Sequence, residues 1–257
     1  MTVEEWESVI DQLADFDARM VQFIGGEPTL HRGLPHLIDR ALHHGMEVEV
    51  FSNLVHVGPH LWEVFERPGV CLATSYYSDQ AEQHEQITRS RRSHGRTRAN
   101  IVEAVRRAIP LRVGVIDVVD EQRVDETVAE LARLGVSGEV RVDFLRQVGR
   151  GVRDQVPDLG QLCGQCGDGR VAIAPDGSVW PCVFSRWLPV GNVREESLAD
   201  ILAGSRMTET ASMLETEFAQ RPCVPNMCDP QCGPSCSPAC RPAGNCTPTG
   251  ACAPDYH

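Results

Sequence analysis

Five short apolar runs constrain this chain most. They lie at residues 20–24, 46–51, 70–74, 111–116 and 139–145, and stretches of helical periodicity separate them. Apolar strands that alternate with helices of about 10–15 residues imply an α/β fold with a parallel sheet and helical crossovers. The first helix opens on a capping box, Thr2 with Glu5, and continues through Trp6, Val9, Ile10, Leu13 and Phe16. Leu34, Leu37, Ile38, Ala41 and Leu42 give a second helix, closed by Gly45. Pro59 opens a third, ending near Glu66. The polar stretch 76–95 reads as a loop. Ile101, Val102, Val105 and Ala108 then mark the inner side of another helix, and residues 123–134 form the last before Gly135.

The pattern breaks near residue 150. A Pro- and Gly-rich linker leads to Val171–Ala174 and Ser178–Trp180, which flank Pro175-Asp176-Gly177 as a hairpin. Short helices are expected at 197–202 and 206–220. From Cys223 onward the chain is Cys, Pro, Gly, Asn and Ser, and it cannot build an apolar core. Eleven cysteines occur in all, seven of them between Cys223 and Cys252. The chain is acidic, with a net charge of −12 and no signal-peptide layout, so it reads as cytoplasmic. In that setting clustered cysteines point to metal and not to disulfides. No apolar run reaches about 18 residues, so no membrane span is expected. The negative charge argues against a nucleic-acid partner. Arg89, Arg91, Arg92, Arg96 and Arg98 form a local exception, either a solvated loop and helix start or a contact to an acidic peptide.

Ligands of parallel α/β sheets bind at the carboxyl ends of the strands. Gly25-Gly26-Glu27-Pro28 follows the first run and precedes a helix. Paired glycines let a backbone approach a ligand, Glu27 supplies an acceptor for an ammonium, and Pro28 stiffens the turn. A purely structural turn fits the same residues. Here Val21-Gln22-Phe23-Ile24-Gly25-Gly26-Glu27-Pro28-Thr29-Leu30 resembles the GGEP motif of radical S-adenosylmethionine (SAM) enzymes. The resemblance implies an incomplete parallel (β/α) barrel over residues 1–150. It also implies SAM contacts at Gly25, Gly26, Glu27 and Pro28, at Ser52 and Asn53 after the next strand, and at Ser75 after the third. Gly149-Arg150-Gly151 resembles a Gly-Arg turn near the adenosine. The stretch His84, Ile87-Thr88, Arg96 and Asn100-Ile101 is similar to peptide-modifying members, and His84 is a candidate substrate contact.

Residues 160–257 resemble the SPASM domain of the same enzymes. Cys163 and Cys166 precede a hairpin with Gly177, and Cys182 follows after four residues. SPASM cysteines hold auxiliary [4Fe–4S] clusters through thiolates. The resemblance extends the ligand set to Cys223, Cys228, Cys232, Cys236 and Cys240, although their spacing departs from the usual run. A zinc-bound or disordered tail is the competing reading. Cys71, inside a strand, reads as core.

The family cleaves SAM at a cluster held by Cys-x3-Cys-x2-Cys, and releases a 5′-deoxyadenosyl radical. No cysteine precedes Cys71 here, so no catalytic residue is assigned. Either Met1 is an internal methionine of a longer gene, or the chain is a truncated relative without radical activity. An exposed apolar strand at 20–24 favours the first. The intact form is expected to modify a ribosomally made peptide, with an electron donor as second partner. The alternatives are a non-catalytic iron–sulfur or zinc protein that recognises a peptide, and a fragment completed by another chain.

Overall fold

A computed structural model describes residues 1–138, 140–146, 148–152, 156–162 and 166–219. It divides into two compact units, Thr2–Phe144 and a second that runs from Leu145 and includes Met1.

The first unit begins with α1 (Val3–Ala14). The capping box forms as expected: Glu5 N–H donates to Thr2 Oγ1 at 3.2 Å, and Thr2 N–H to the Glu5 carboxylate at 2.6 Å. Then follow β1 (Met20–Phe23), α2 (Leu34–His43), β2 (Glu47–Phe51), α3 (Pro59–Phe65) and β3 (Val70–Tyr76). The unit ends with α4 (Ala81–Thr88), α5 (Ser93–Arg106), β4 (Leu111–Asp117), α6 (Val124–Arg133) and β5 (Val140–Phe144). All pairings are parallel, in the order β1-β2-β3-β4-β5. The sheet is that of an incomplete (β/α) barrel.

Strand side chains alternate between two faces. Val48, Val50, Leu72, Val113 and Val115 pack with Ile10, Leu34, Ile38, Phe65, Ile101 and Leu131 of the helices in one continuous core. By register, the opposite face carries Gln22, Glu49, Cys71, Ala73 and Arg112. Among the described residues β1 and β5 are the sheet's edges, where Met20, Ile24 and Val142 are exposed.

One expectation needs correction. The stretch 76–95 is not a single loop, because it contains α4, and α5 starts at Ser93. The inward positions of α4 and of the first turns of α5 are His84, Ser93, His94 and Thr97, all buried. Polar residue types do the packing there, so the sequence lacked an apolar stripe to announce a helix.

The second unit holds a small antiparallel sheet of β6 (Ala172–Ile173), β7 (Ser178–Trp180) and β8 (Gly191–Asn192). Gly177 makes the hairpin turn at φ +90°, where a side chain would be strained. Two helices follow, α7 (Leu198–Ala203) and α8 (Ser205–Ala219). Ser197 caps α7 by accepting the Asp200 N–H at 3.1 Å. Val179, Val190, Ile201 and Met207 form the core beneath them. No helix among the described residues is long and apolar enough to cross a membrane.

Candidate cofactor sites

The turn after β1 is built around one carboxylate. Gly25 and Gly26 both take left-handed backbone, at φ +91° and +52°, and a Cβ on either would meet nothing within 4 Å. The glycine surface is therefore open. Glu27 turns the other way and gathers the neighbouring loops. Its Oε1 accepts the Thr29 N–H at 3.1 Å, the Thr29 hydroxyl at 2.8 Å and the Ser52 hydroxyl at 2.7 Å. Its Oε2 accepts the Asn53 N–H at 2.8 Å, its one hydrogen bond among the described residues. A carboxylate oxygen accepts along two lone pairs, so Oε2 keeps room for one more donor.

The turn after β2 is equally fixed. Ser52 is buried, its Oγ accepts the Leu54 N–H at 3.0 Å, and Asn53 Oδ1 accepts the Val55 N–H at 2.8 Å. From α5, the Thr97 hydroxyl donates to the Asn53 carbonyl at 2.9 Å, and the Asn100 amide to the Leu54 carbonyl at 2.7 Å. The structure thus joins Glu27, Ser52 and Asn53 by hydrogen bonds at the carboxyl end of the sheet, and Gly25 and Gly26 precede Glu27 on the same rim. Pro28 is buried as the first residue of a single 3-10 turn. Ser75 stands half-buried on β3, outside this set of bonds.

Sequence reading missed the charged network on the same sheet face. Arg112 on β4 reaches across β3 to Glu49 on β2, with Nε at 3.2 Å and Nη2 at 2.8 Å from its two oxygens. The short side chains of Cys71 and Ala73, which lie between, leave room for that crossing. Gln22 also donates to Glu49, and the Arg112 guanidinium lies 5.7 Å from the Phe51 ring centre. Burial, and then the Glu49 charge, push the Cys71 thiol up to about 11. The signal available in the sequence was a charge at alternate positions of otherwise apolar strands.

His84 does not reach the surface. It is 1% exposed and packs on Tyr76 and His94, with ring centres 5.0 and 5.4 Å away. The Tyr76 hydroxyl meets His94 Nε2 at 2.8 Å and donates to Glu130 at 3.0 Å. His84 Nδ1 has no hydrogen bond of good geometry among the described residues, although the Ser78 main chain lends the ring some basicity. Burial, with His94 second, lowers its pKa to about 4. A substrate contact at His84 would need this packing to open.

In the second unit, Cys166 and Cys182 are both buried, in one cluster with Leu162 and Leu214. The Gly167 N–H donates to the Pro181 carbonyl at 3.1 Å, which aligns the two cysteines across the hairpin base. Cys182 Sγ accepts the Phe184 N–H at 3.3 Å. The Cys182 N–H donates to Ser185 Oγ at 3.0 Å. Backbone N–H groups aimed at sulfur stabilise thiolate, the form that ligates iron. Among the described residues no group of three or more Cys, His, Asp or Glu is gathered for a metal. The remaining candidates, Cys163, Cys223, Cys228, Cys232, Cys236 and Cys240, lie outside the described residues.

A family model for the SPASM iron–sulfur cluster-binding domain matches residues 163–240. The described structure is similar to Streptococcus suis SuiB bound to S-adenosylmethionine, with a TM-score of 0.68 at 13% identity over 82% of this chain and 60% of SuiB. SuiB bound to its precursor peptide SuiA gives 0.69 at 12% identity, with the same coverage. The chain shares the fold of these structures and carries a match to the SPASM iron–sulfur domain. Its curated relatives match over a short stretch. Fe-coproporphyrin III synthase of Methanosarcina barkeri is 38% identical over 53 residues, which is 21% of this chain and 13% of the synthase. PqqA peptide cyclase of Bradyrhizobium diazoefficiens is 34% identical over 55 residues, again 21% and 13%. The chain therefore spans less than two thirds of SuiB, and its alignment covers a small part of either curated relative.

Proposed function

We propose that this chain is of the radical SAM/SPASM type, binds SAM on the Gly25–Gly26 rim and auxiliary [4Fe–4S] clusters on its C-terminal cysteines, and serves the modification of a ribosomally made peptide. One observation carries the reading. An open glycine surface adjoins a carboxylate with unused accepting capacity, at the carboxyl end of a parallel sheet. That combination suits a ligand with an ammonium group that must lie close to main chain. Gly25 and Gly26 would lie against SAM, Glu27 Oε2 would take its ammonium, and Ser52 and Asn53 would hold Glu27 in place. Ser75, on β3, is a weaker candidate for the same ligand. In an intact form, SAM held there next to a reduced cluster would supply radical chemistry for removing hydrogen from a substrate. Cys166 and Cys182 would supply thiolates to an auxiliary cluster, with Cys163 and the tail cysteines completing the set. SuiB has been crystallised with SAM and with a precursor peptide, and a PqqA peptide cyclase is among the relatives. These support peptide as the substrate class; the electron donor is the second partner that radical chemistry would require. The net charge of −12 disfavours nucleic acid.

The test is equilibrium dialysis of SAM against the anaerobically reconstituted chain. SAM is expected to bind, and Gly26→Val to weaken it at least tenfold. A β-branched residue resists φ near +52°, and its side chain would fill the open surface. Equal binding by Gly26→Val, or no binding by the parent chain, would refute the site. Because the sequence contains no Cys-x3-Cys-x2-Cys, bound SAM is expected without 5′-deoxyadenosine; its formation would overturn that expectation.

A second measurement addresses the clusters. Iron and sulfide per chain are expected to fall in the Cys166→Ser/Cys182→Ser variant. Unchanged iron would leave the ligands to the tail alone, and zinc in place of iron would favour a non-catalytic recognition protein.

A further inference from the structure

The turn between α4 and α5 concentrates positive charge that the chain does not use. Residues 89–98 hold five arginines and no carboxylate, in a chain of net charge −12. Arg98 pairs with Glu130 at 2.8 Å. Arg89, Arg91, Arg92 and Arg96 are exposed, and none has an ion-pair partner among the described residues. Glu85 lies one helical turn before Arg89, yet no ion pair joins them.

The backbone makes this arrangement costly. Arg89 ends α4 and Arg92 precedes α5, both in left-handed conformation, at φ +54° and +62°. Glycine adopts that conformation without strain, and arginine does not. Positive side chains also oppose the dipole at the start of α5. The turn is nevertheless held firmly, because the Thr88 and Ser93 hydroxyls meet at 2.8 Å across its base. The bonds from Thr97 and Asn100 then fasten α5 to the Asn53–Leu54 turn, so the helix that follows the arginine turn is tied to a loop of the candidate SAM site.

We infer that this turn is a docking surface for an acidic segment of the peptide substrate. The inference rests on the peptide-modifying reading and adds to it a substrate chemistry and a place of contact. Unpaired guanidinium groups on a stiff turn recognise carboxylates through charge-assisted, bidentate hydrogen bonds. On an acidic chain they form a local attractor that steers an acidic peptide toward the rim and repels a basic one.

The probe is a fluorescein-labelled hexaglutamate peptide, followed by anisotropy with the full chain at low and at elevated salt. Binding is expected at low salt, to weaken as salt rises, and to drop at least tenfold in Arg89→Gly/Arg92→Gly and further in Arg89→Gly/Arg91→Ser/Arg92→Gly/Arg96→Ser. The first variant puts glycine where the backbone favours it, so it should melt with the parent chain, and lost binding cannot be ascribed to unfolding. Hexaglutamate that fails to bind, or binds the variants equally, overturns the inference. An oligouridylate that binds as tightly as hexaglutamate would reassign the turn to phosphate polymers. SAM dialysis on the same samples separates the two readings: SAM bound without peptide counts against the docking surface alone, and peptide bound without SAM counts against the cofactor site.

Discussion

Glu49→Ala is expected to destabilise the first unit by about 3–5 kcal/mol, because it strands the Arg112 guanidinium in a face that has excluded most water. Glu49 is 6% exposed and receives Arg112 through two bonds and Gln22 through a third. Removing the carboxylate leaves three donors without an acceptor, whereas removing the whole pair does not. Glu49→Leu/Arg112→Met should therefore recover most of the loss, since a matched apolar pair replaces a matched ionic one. Urea unfolding checks both, through a lower midpoint at unchanged slope in the single variant and a restored midpoint in the double. The same single variant should make the Cys71 thiol more acidic, because the Glu49 charge is one of the causes that raise it. Thiol-reaction rates against pH would register that shift. A single variant as stable as the parent chain would remove the network from the account of the fold.

Acid should weaken the chain before any carboxylate is titrated, and His84 is the reason. Its pKa is lowered from 6.5 to about 4 in the folded state. Above pH 6.5 neither state protonates it, and it contributes nothing to pH dependence. As pH falls below 6.5 the unfolded chain takes up a proton that the folded chain refuses, so stability declines until about pH 4. The shift corresponds to about 3 kcal/mol. The groups around the ring do not offset this: the Ser78 main chain raises the pKa by less than burial and His94 lower it, and Glu130 is engaged by Arg98 and the Tyr76 hydroxyl. Asp11 and Glu103 act at lower pH. Arg40 holds Asp11 at about 2, and Arg106 holds Glu103 at about 2, so their stabilisation is lost only below the ordinary carboxylate range. Denaturant midpoints between pH 7 and pH 4 should fall steeply for the parent chain. His84→Phe keeps a ring in the packing and removes the titration, so its decline should be shallow. Equal slopes would show that His84 is not the sensor.

The sequence by itself determined the order of the five strands and of every α-helix but α4 in the first unit, because apolar runs and helical stripes have different periods and each burial pattern admits one of them. It determined the start of α1, since Thr2 and Glu5 satisfy each other's backbone through local bonds alone. It also marked the two glycines, for a left-handed pair after a strand has few other solutions. Three things were decided only by tertiary structure. Glu27 reads in sequence as an acceptor for a ligand, yet it first holds the β1 and β2 turns together, because Ser52 and Asn53 arrive beside it only when the strands pair. The helix α4 was hidden because its inward residue, His84, is apolar in effect only once Tyr76 and His94 enclose it and burial keeps it neutral. The Glu49–Arg112 pair joins residues 63 positions apart, and it exists because parallel register places two small side chains between them. Local bonding and periodicity are written along the chain. The electrostatics of a buried group depend on what the sheet brings to it, and no single segment contains that.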